Sequence, residues 1–70
     1  MDAEYRCWKY LSEVLFSTPS IFQSLKPKFR TLMIDFRGYL EDGMDEDYTA
    51  DLTISLAKGL VERESNKIEK

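Results

Sequence analysis

The clearest helical pattern in this chain is PKFRTLMIDFRGYLE, which spans Pro27 to Glu41. Its large apolar residues follow the i, i+3, i+4, i+7 spacing that places them on one face of an α-helix. They are Phe29, Leu32, Met33, Phe36, Tyr39 and Leu40. Asp42 and Gly43 come next, and glycine suits the left-handed position that ends many helices. The segment therefore predicts an amphipathic helix whose apolar face needs a partner.

The residues before this segment predict another helix, from about Asp2 to Phe16. Its apolar residues fall on one broad face at about 100° per residue: Cys7, Trp8, Leu11, Val14 and Leu15. Without a histidine to activate it, the Cys7 thiol is expected to be buried and structural. Trp8 is expected to anchor the core, with an exposed anchor at an interface as the alternative.

Two prolines mark the connection between these helices. Thr18 as N-cap with Pro19 at the first helical position predicts a short helical turn from Pro19 to Leu25. Pro27 disfavours helix at Lys26 and removes a backbone donor. We therefore expect a kink or a fresh helix start near Pro27, and not one straight helix from Pro19 onward.

A third helix is predicted after a short acidic loop, Met44 to Asp47, with Asp45 or Asp47 as its N-cap. It should run to about Asn66, with fraying from about residue 65. Its apolar residues form two opposite faces: Leu52, Leu56 and Leu60 on the first, and Ile54, Ala57, Val61 and Ile68 on the second. Gly59 beside the first face indicates either close approach of another backbone or a tolerated glycine.

These segments predict an all-α fold, a small three-helix bundle with an extra helical turn at about 19–25. Helices joined by short loops pack as antiparallel neighbours, and 70 residues make one domain, 1–70. The expected core draws on all three helices: Trp8, Leu11, Leu15, Phe29, Leu32, Phe36, Leu40, Leu52, Leu56 and Leu60.

Composition narrows the chemistry available to the chain. It has one cysteine and no histidine, so we expect neither an intrachain disulfide nor a Cys/His zinc site. A lone cysteine, an acidic N-terminus unlike a signal peptide and no apolar run of about 20 residues predict a cytoplasmic protein without a membrane segment.

The acidic residues between Glu41 and Asp51 invite two chemical interpretations. Asp45 to Thr49 matches the letters of a D-x-D-x-T phosphoryl-transfer motif, but that motif needs a preceding β-strand, and a helix precedes it here. Calcium-loop spacing fails as well, because neither Asp45 nor Asp42 as first ligand gives Gly at position 6 and Glu at position 12. We expect no catalytic residue, metal or cofactor.

The function expected from this pattern is a non-enzymatic protein-interaction module, acting as an adaptor, small regulatory subunit or inhibitor. Its candidate surface is the second face of the third helix, here called the α3 strip: Ile54, Ala57, Val61 and Ile68. Soluble proteins usually cover such a strip, so we expect an unidentified protein partner and a homodimer. The rival arrangement is a monomer whose third helix is central and uses both faces internally.

The alternative function is a small regulator that contacts nucleic acid through basic residues of the second main helix. Lys26, Arg30 and Arg37 share one flank of that helix, and Lys28 lies elsewhere on it. The net charge of −3 argues against this interpretation, because affinity for the phosphate backbone rewards excess Lys and Arg.

Overall fold

The computed structural model of the chain describes residues 2–68. It contains helix α1 (Asp2–Ser17), a 3₁₀ turn (Pro19–Ile21), helix α2 (Phe22–Glu41) and helix α3 (Glu46–Ile68). Helices account for 92% of the described residues, and no strand occurs among them. The three helices pack against each other, so the prediction of an all-α three-helix bundle is confirmed.

Contacts between the helices set their directions. The guanidinium of Arg37, near the end of α2, lies 3.4 Å from the carboxylate of Glu4, near the start of α1. These two helices are therefore antiparallel. Lys28 in the first half of α2 pairs with Glu64 near the end of α3, so this pair is antiparallel too. Helices α1 and α3 are consequently parallel, and the Cys7 thiol points at the Ala50 carbonyl at 3.8 Å.

The α2–α3 connection follows the predicted capping chemistry. Gly43 has a φ of 94°, and its amide donates to the Leu40 carbonyl at 3.0 Å while the Met44 amide donates to Tyr39 at 3.0 Å. These two bonds are a Schellman motif. At the start of α3, the Tyr48 amide donates to the Asp45 carboxylate at 2.9 Å. Asp45, and not Asp47, is therefore the N-cap.

The prediction of a fresh helix start at Pro27 is wrong, because α2 begins at Phe22 and continues through the proline. Leu25 and Phe29 flank Pro27 on the same helical face, and both are buried. Their burial outweighs the one backbone hydrogen bond that the proline removes. The predicted turn at 19–25 is thus a 3₁₀ turn at Pro19–Ile21 that leads directly into α2.

The core is shifted from the predicted one. The buried apolar cluster consists of Ala3, Cys7, Leu11, Ile21, Leu25, Phe29, Met33, Phe36, Ala50 and Ala57. Leu11, Phe29 and Phe36 were predicted to be buried, but Trp8 is 41% exposed and Leu56 is 46% exposed. The inward line of α1 runs through Ala3, Cys7 and Leu11, so Trp8 is turned about 100° to its edge.

Helix α3 turns its small residues inward, which corrects the assignment of its two faces. Thr49, Ala50, Thr53 and Ala57 are all buried. Small side chains here leave room for the bulky Phe29 and Phe36 of the same cluster.

The α3 strip is consequently not an exposed surface in its described part. Ala57 is fully buried, and Ile54 and Val61 pack against the core. The side chain of Ile68 lies outside the described residues, as do residues 69 and 70 of the segment expected to fray. A Cβ at Gly59 would meet no atom within 4 Å, so the glycine does not serve close approach within this chain.

Candidate interaction groove

An apolar groove separates α1 from α2 on one side of the bundle and has a volume of about 220 Å³. We call this cavity the groove. It is lined by Trp8, Leu11, Ser12, Leu15, Lys26, Phe29 and Arg30. The floor is made by Leu11 and Phe29, which are both buried. Trp8 and Ser12 are four residues apart on the edge of α1, and Lys26 and Arg30 are four apart on the edge of α2. The i, i+4 spacing aligns each pair along its helix.

Trp8 is the most informative side chain of the groove. It is 41% exposed although it lies next to the buried Leu11. Two further aromatic residues of α1, Tyr5 and Phe16, are 67% and 83% exposed. At about 100° per residue they lie on the same half of the helix as Trp8. This side of α1 therefore presents aromatic surface to the solvent.

The charge of the groove is positive, opposite to the net charge of the chain. Its lining contains Lys26 and Arg30 and no carboxylate. Neither cation forms an ion pair with a carboxylate within residues 2–68; the Lys26 ammonium lies 5.9 Å from the centre of the Phe22 ring. The whole chain has 13 Asp and Glu against 10 Lys and Arg, so the local balance is not a consequence of composition.

The four residues of the predicted basic flank are distributed over two sides of α2. Only Lys26 and Arg30 lie together in the groove. Arg37 lies farther along the same side and pairs with Glu4. Lys28 faces α3 and pairs with Glu64, so it contributes nothing to the groove.

Glu64 is a carboxylate in the interface between α2 and α3, with its side chain 7% exposed. The hydrogen bond from Lys28 lowers the pKa of Glu64, and the charges of Lys28 and Lys67 act in the same direction. The Lys67 ammonium lies 3.6 Å from the second carboxylate oxygen. Two cations thus keep this carboxylate ionised, which explains how it is accommodated at a largely buried position.

A second, more open groove of about 300 Å³ lies between α1 and α3 and includes Tyr10, Val14, Thr18 and Val61. Burial raises the pKa of Tyr10. The Thr18 hydroxyl donates to the Val14 carbonyl at 2.7 Å and makes no capping bond. The lining of this second groove contains one carboxylate, Glu13, and no cation. Unlike the groove, it has no exposed tryptophan, and its only charged side chain is a carboxylate.

The acidic segment acts in capping and in ion pairs. Asp45 caps α3, and Arg6 lies 3.5 Å from Asp47 and 3.9 Å from Asp51. Within residues 2–68, no three His, Cys, Asp or Glu side chains are grouped as a metal site would require. Cys7 is buried, and this burial raises the pKa of its thiol. None of the described helices is long and apolar enough to cross a membrane.

Sequence reasoning named Trp8, Lys26 and Arg30 separately but did not bring them together. The available signal was the i, i+4 spacing of the two cations and the position of Trp8 at one end of the apolar arc. Joining them requires knowing which edge of α1 faces which edge of α2, and helical periodicity does not specify that.

Comparison of the chain with protein-family models, with curated proteins and with solved structures finds no match.

Proposed function

We propose that this chain is a non-enzymatic protein-interaction module whose groove receives an apolar side chain of another protein. The observation that carries the proposal is the 41% exposure of Trp8 above a buried apolar floor. Tryptophan is enriched among the residues that dominate binding energy at protein interfaces. Partly exposed aromatic surface beside a concave apolar site is typical of such anchors.

The size of the groove supports a side chain as its occupant. Pockets for small molecules and cofactors usually measure about 300–1,000 Å³, and this one measures about 220 Å³. It extends from Trp8 to Leu15, which is roughly 10 Å at 1.5 Å per residue. That length suits one or two apolar side chains of a docked segment.

This proposal moves the interaction surface from α3 to the α1–α2 side of the bundle. The homodimer was expected because the α3 strip would otherwise be exposed, and its described residues pack in or against the core. The large apolar side chains that α3 exposes are instead Tyr48, at 60%, and Leu56, at 46%, and the half-buried Leu52 lies between them on the helix. This outer face of α3 is the rival surface against which the groove can be tested.

Nucleic-acid binding receives little support from the same geometry. Only Lys26 and Arg30 of the basic residues lie in the groove, and the net charge is −3. Affinity for nucleic acid grows with the number of phosphates neutralised, so two cations supply a small part of what is needed.

Affinity capture with matched baits tests the proposal. The baits are the wild-type chain, Trp8→Ala in the groove and Leu56→Ala on the outer face of α3. We expect the same partner protein to be recovered by the wild type and Leu56→Ala and to be lost with Trp8→Ala. Circular dichroism of each bait checks that it is folded. Recovery that is lost with folded Leu56→Ala and kept with Trp8→Ala would move the interaction surface to α3.

A further inference from the structure

We infer that the groove binds an acidic peptide segment of a partner protein, with one bulky apolar side chain beside Trp8 and carboxylates on Lys26 and Arg30. This inference rests on the proposed function and adds the chemistry of the partner. The apolar floor formed by Leu11 and Phe29 selects the anchor, and the two cations select the charge around it.

Charge complementarity is the first argument. The chain is acidic, yet the lining of its apolar groove contains two cations and no carboxylate. Neither cation is used in an ion pair within residues 2–68, whereas Lys28 and Arg37 of the same helix both are. A partner with carboxylates would supply the missing counter-charges, and a basic partner would be repelled at the same place.

The spacing of the two cations is the second argument. Residues four apart on a helix have Cβ atoms about 5–6 Å from each other, so Lys26 and Arg30 present two donors along one edge. The Arg30 guanidinium can hold a carboxylate by two parallel hydrogen bonds, and the Lys26 ammonium acts as a point charge. Two carboxylates about one helical turn apart in the partner would reach both.

The apolar anchor and the charges have different roles. Ion pairs at an exposed rim add little affinity, but they speed association and exclude partners of the wrong charge. Burial of an apolar side chain against Trp8 and the floor supplies most of the affinity. Removing one cation should therefore weaken binding modestly, and removing Trp8 should weaken it more.

Selection from a phage-displayed library of random peptides tests the inference. Peptides of about 15 residues are long enough for the anchors of a docked helix. Peptides selected on the wild-type chain should be enriched in Asp and Glu near a Leu, Phe or Trp. The best peptide is then synthesised with a fluorescent label, and its dissociation constant for each variant is measured by anisotropy.

The variants form matched pairs. We expect Arg30→Gln to weaken binding about two- to fivefold at low salt, and Arg63→Gln, an exposed arginine of α3, to have no effect. Ser12→Glu places a carboxylate in the groove and should weaken binding at least as much, whereas the exposed Ser55→Glu should not. Trp8→Ala should cost about tenfold or more. Ser12→Glu retains Trp8, so it tests the groove even if Trp8→Ala fails to fold.

The outcomes separate this inference from the proposed function. Peptides without acidic enrichment that lose binding with Trp8→Ala and are unaffected by Arg30→Gln would overturn the acidic partner and leave the groove as an interaction site. Failure to select any peptide, or peptides insensitive to both Trp8→Ala and Ser12→Glu, would overturn both. Self-association of the wild type that Ser12→Glu abolishes would replace the separate partner with a second copy of this chain.

Discussion

Leu56 and Ala57 are adjacent in sequence and lie in opposite environments. Leu56 is 46% exposed, and Ala57 is completely buried. A carboxylate at position 57 would be buried without a partner, which is among the most costly single changes in a protein. The same side chain at position 56 would be in water.

We therefore predict that Ala57→Glu lowers the free energy of unfolding by roughly 3 kcal/mol or more, and that Leu56→Glu changes it by less than about 1 kcal/mol. Urea unfolding followed by circular dichroism measures both. Two equal losses, or a larger loss for Leu56→Glu, would contradict the orientation of α3 described above.

Cys7 gives a second test at the residue scale. Its side chain is fully buried, and burial raises the pKa of its thiol. Because the thiolate is the reactive form, we predict that an aromatic disulfide reagent modifies Cys7 slowly in the native protein and rapidly in urea. A native rate close to that of the unfolded chain would show that α1 does not bury this residue.

Sequence reasoning succeeded at residues whose burial follows from size and periodicity, such as Leu11, Phe29 and Phe36. It failed for Ala57 because size and hydrophobicity favour Leu56 as the core residue. Where three helices contact one another, small side chains occupy the positions of closest approach between helices, and large side chains fill the space beside them. Single-helix patterns do not contain that information.

At the scale of the elements, the end of one helix and the start of the next are fixed by local hydrogen bonds. Asp45 accepts the Tyr48 amide and caps α3, while Asp47 points to Arg6 on the surface. We predict that Asp45→Ala lowers the free energy of unfolding by about 1 kcal/mol. Asp47→Ala is the control and should cost less than about 0.5 kcal/mol, because an exposed ion pair contributes little. Chemical denaturation compares the two, and a larger loss for Asp47→Ala would reassign the cap.

The contact between α2 and α3 predicts a dependence of stability on pH. Lys28 lowers the pKa of Glu64 below its ordinary value of 4.5, so the ionised carboxylate stabilises the folded state. That contribution is complete above about pH 4.5 and is lost as the pH falls through the lowered pKa. The melting temperature of Glu64→Gln should therefore lie below that of the wild type at about pH 7 and approach it at about pH 3.

Glu62→Gln, an exposed neighbour on α3, serves as the control for this comparison. A difference in melting temperature between the wild type and Glu64→Gln that stays constant from neutral to acidic pH would show that the pair with Lys28 is not linked to folding.

At this scale the sequence predicts that the three helices exist, but it does not predict where α2 begins. Capping residues such as Asp45 and Gly43 mark helix ends through local chemistry, which a sequence displays directly. The start of α2 was missed because tertiary burial of Leu25 and Phe29 holds Pro27 inside the helix. A local rule for proline cannot include that contribution.

At the scale of the whole molecule, the arrangement of the helices creates the groove. Antiparallel packing of α1 on α2 brings the edge with Trp8 opposite the edge with Lys26 and Arg30, and α3 fills the other side of both helices. The bundle class follows from three amphipathic segments joined by short connections. The groove does not follow from them, because a left-handed and a right-handed bundle of the same three helices would bring different helix edges together.

We have proposed that the groove, and not α3, is the interaction surface. Amide ¹H–¹⁵N spectra of the labelled chain, titrated with the selected acidic peptide, distinguish these two surfaces. We expect the largest shift changes at Trp8, including its indole N–H, and at Leu15 and Arg30. Largest changes at Tyr48, Leu52 and Leu56 on the outer face of α3, with the Trp8 indole unmoved, would contradict it.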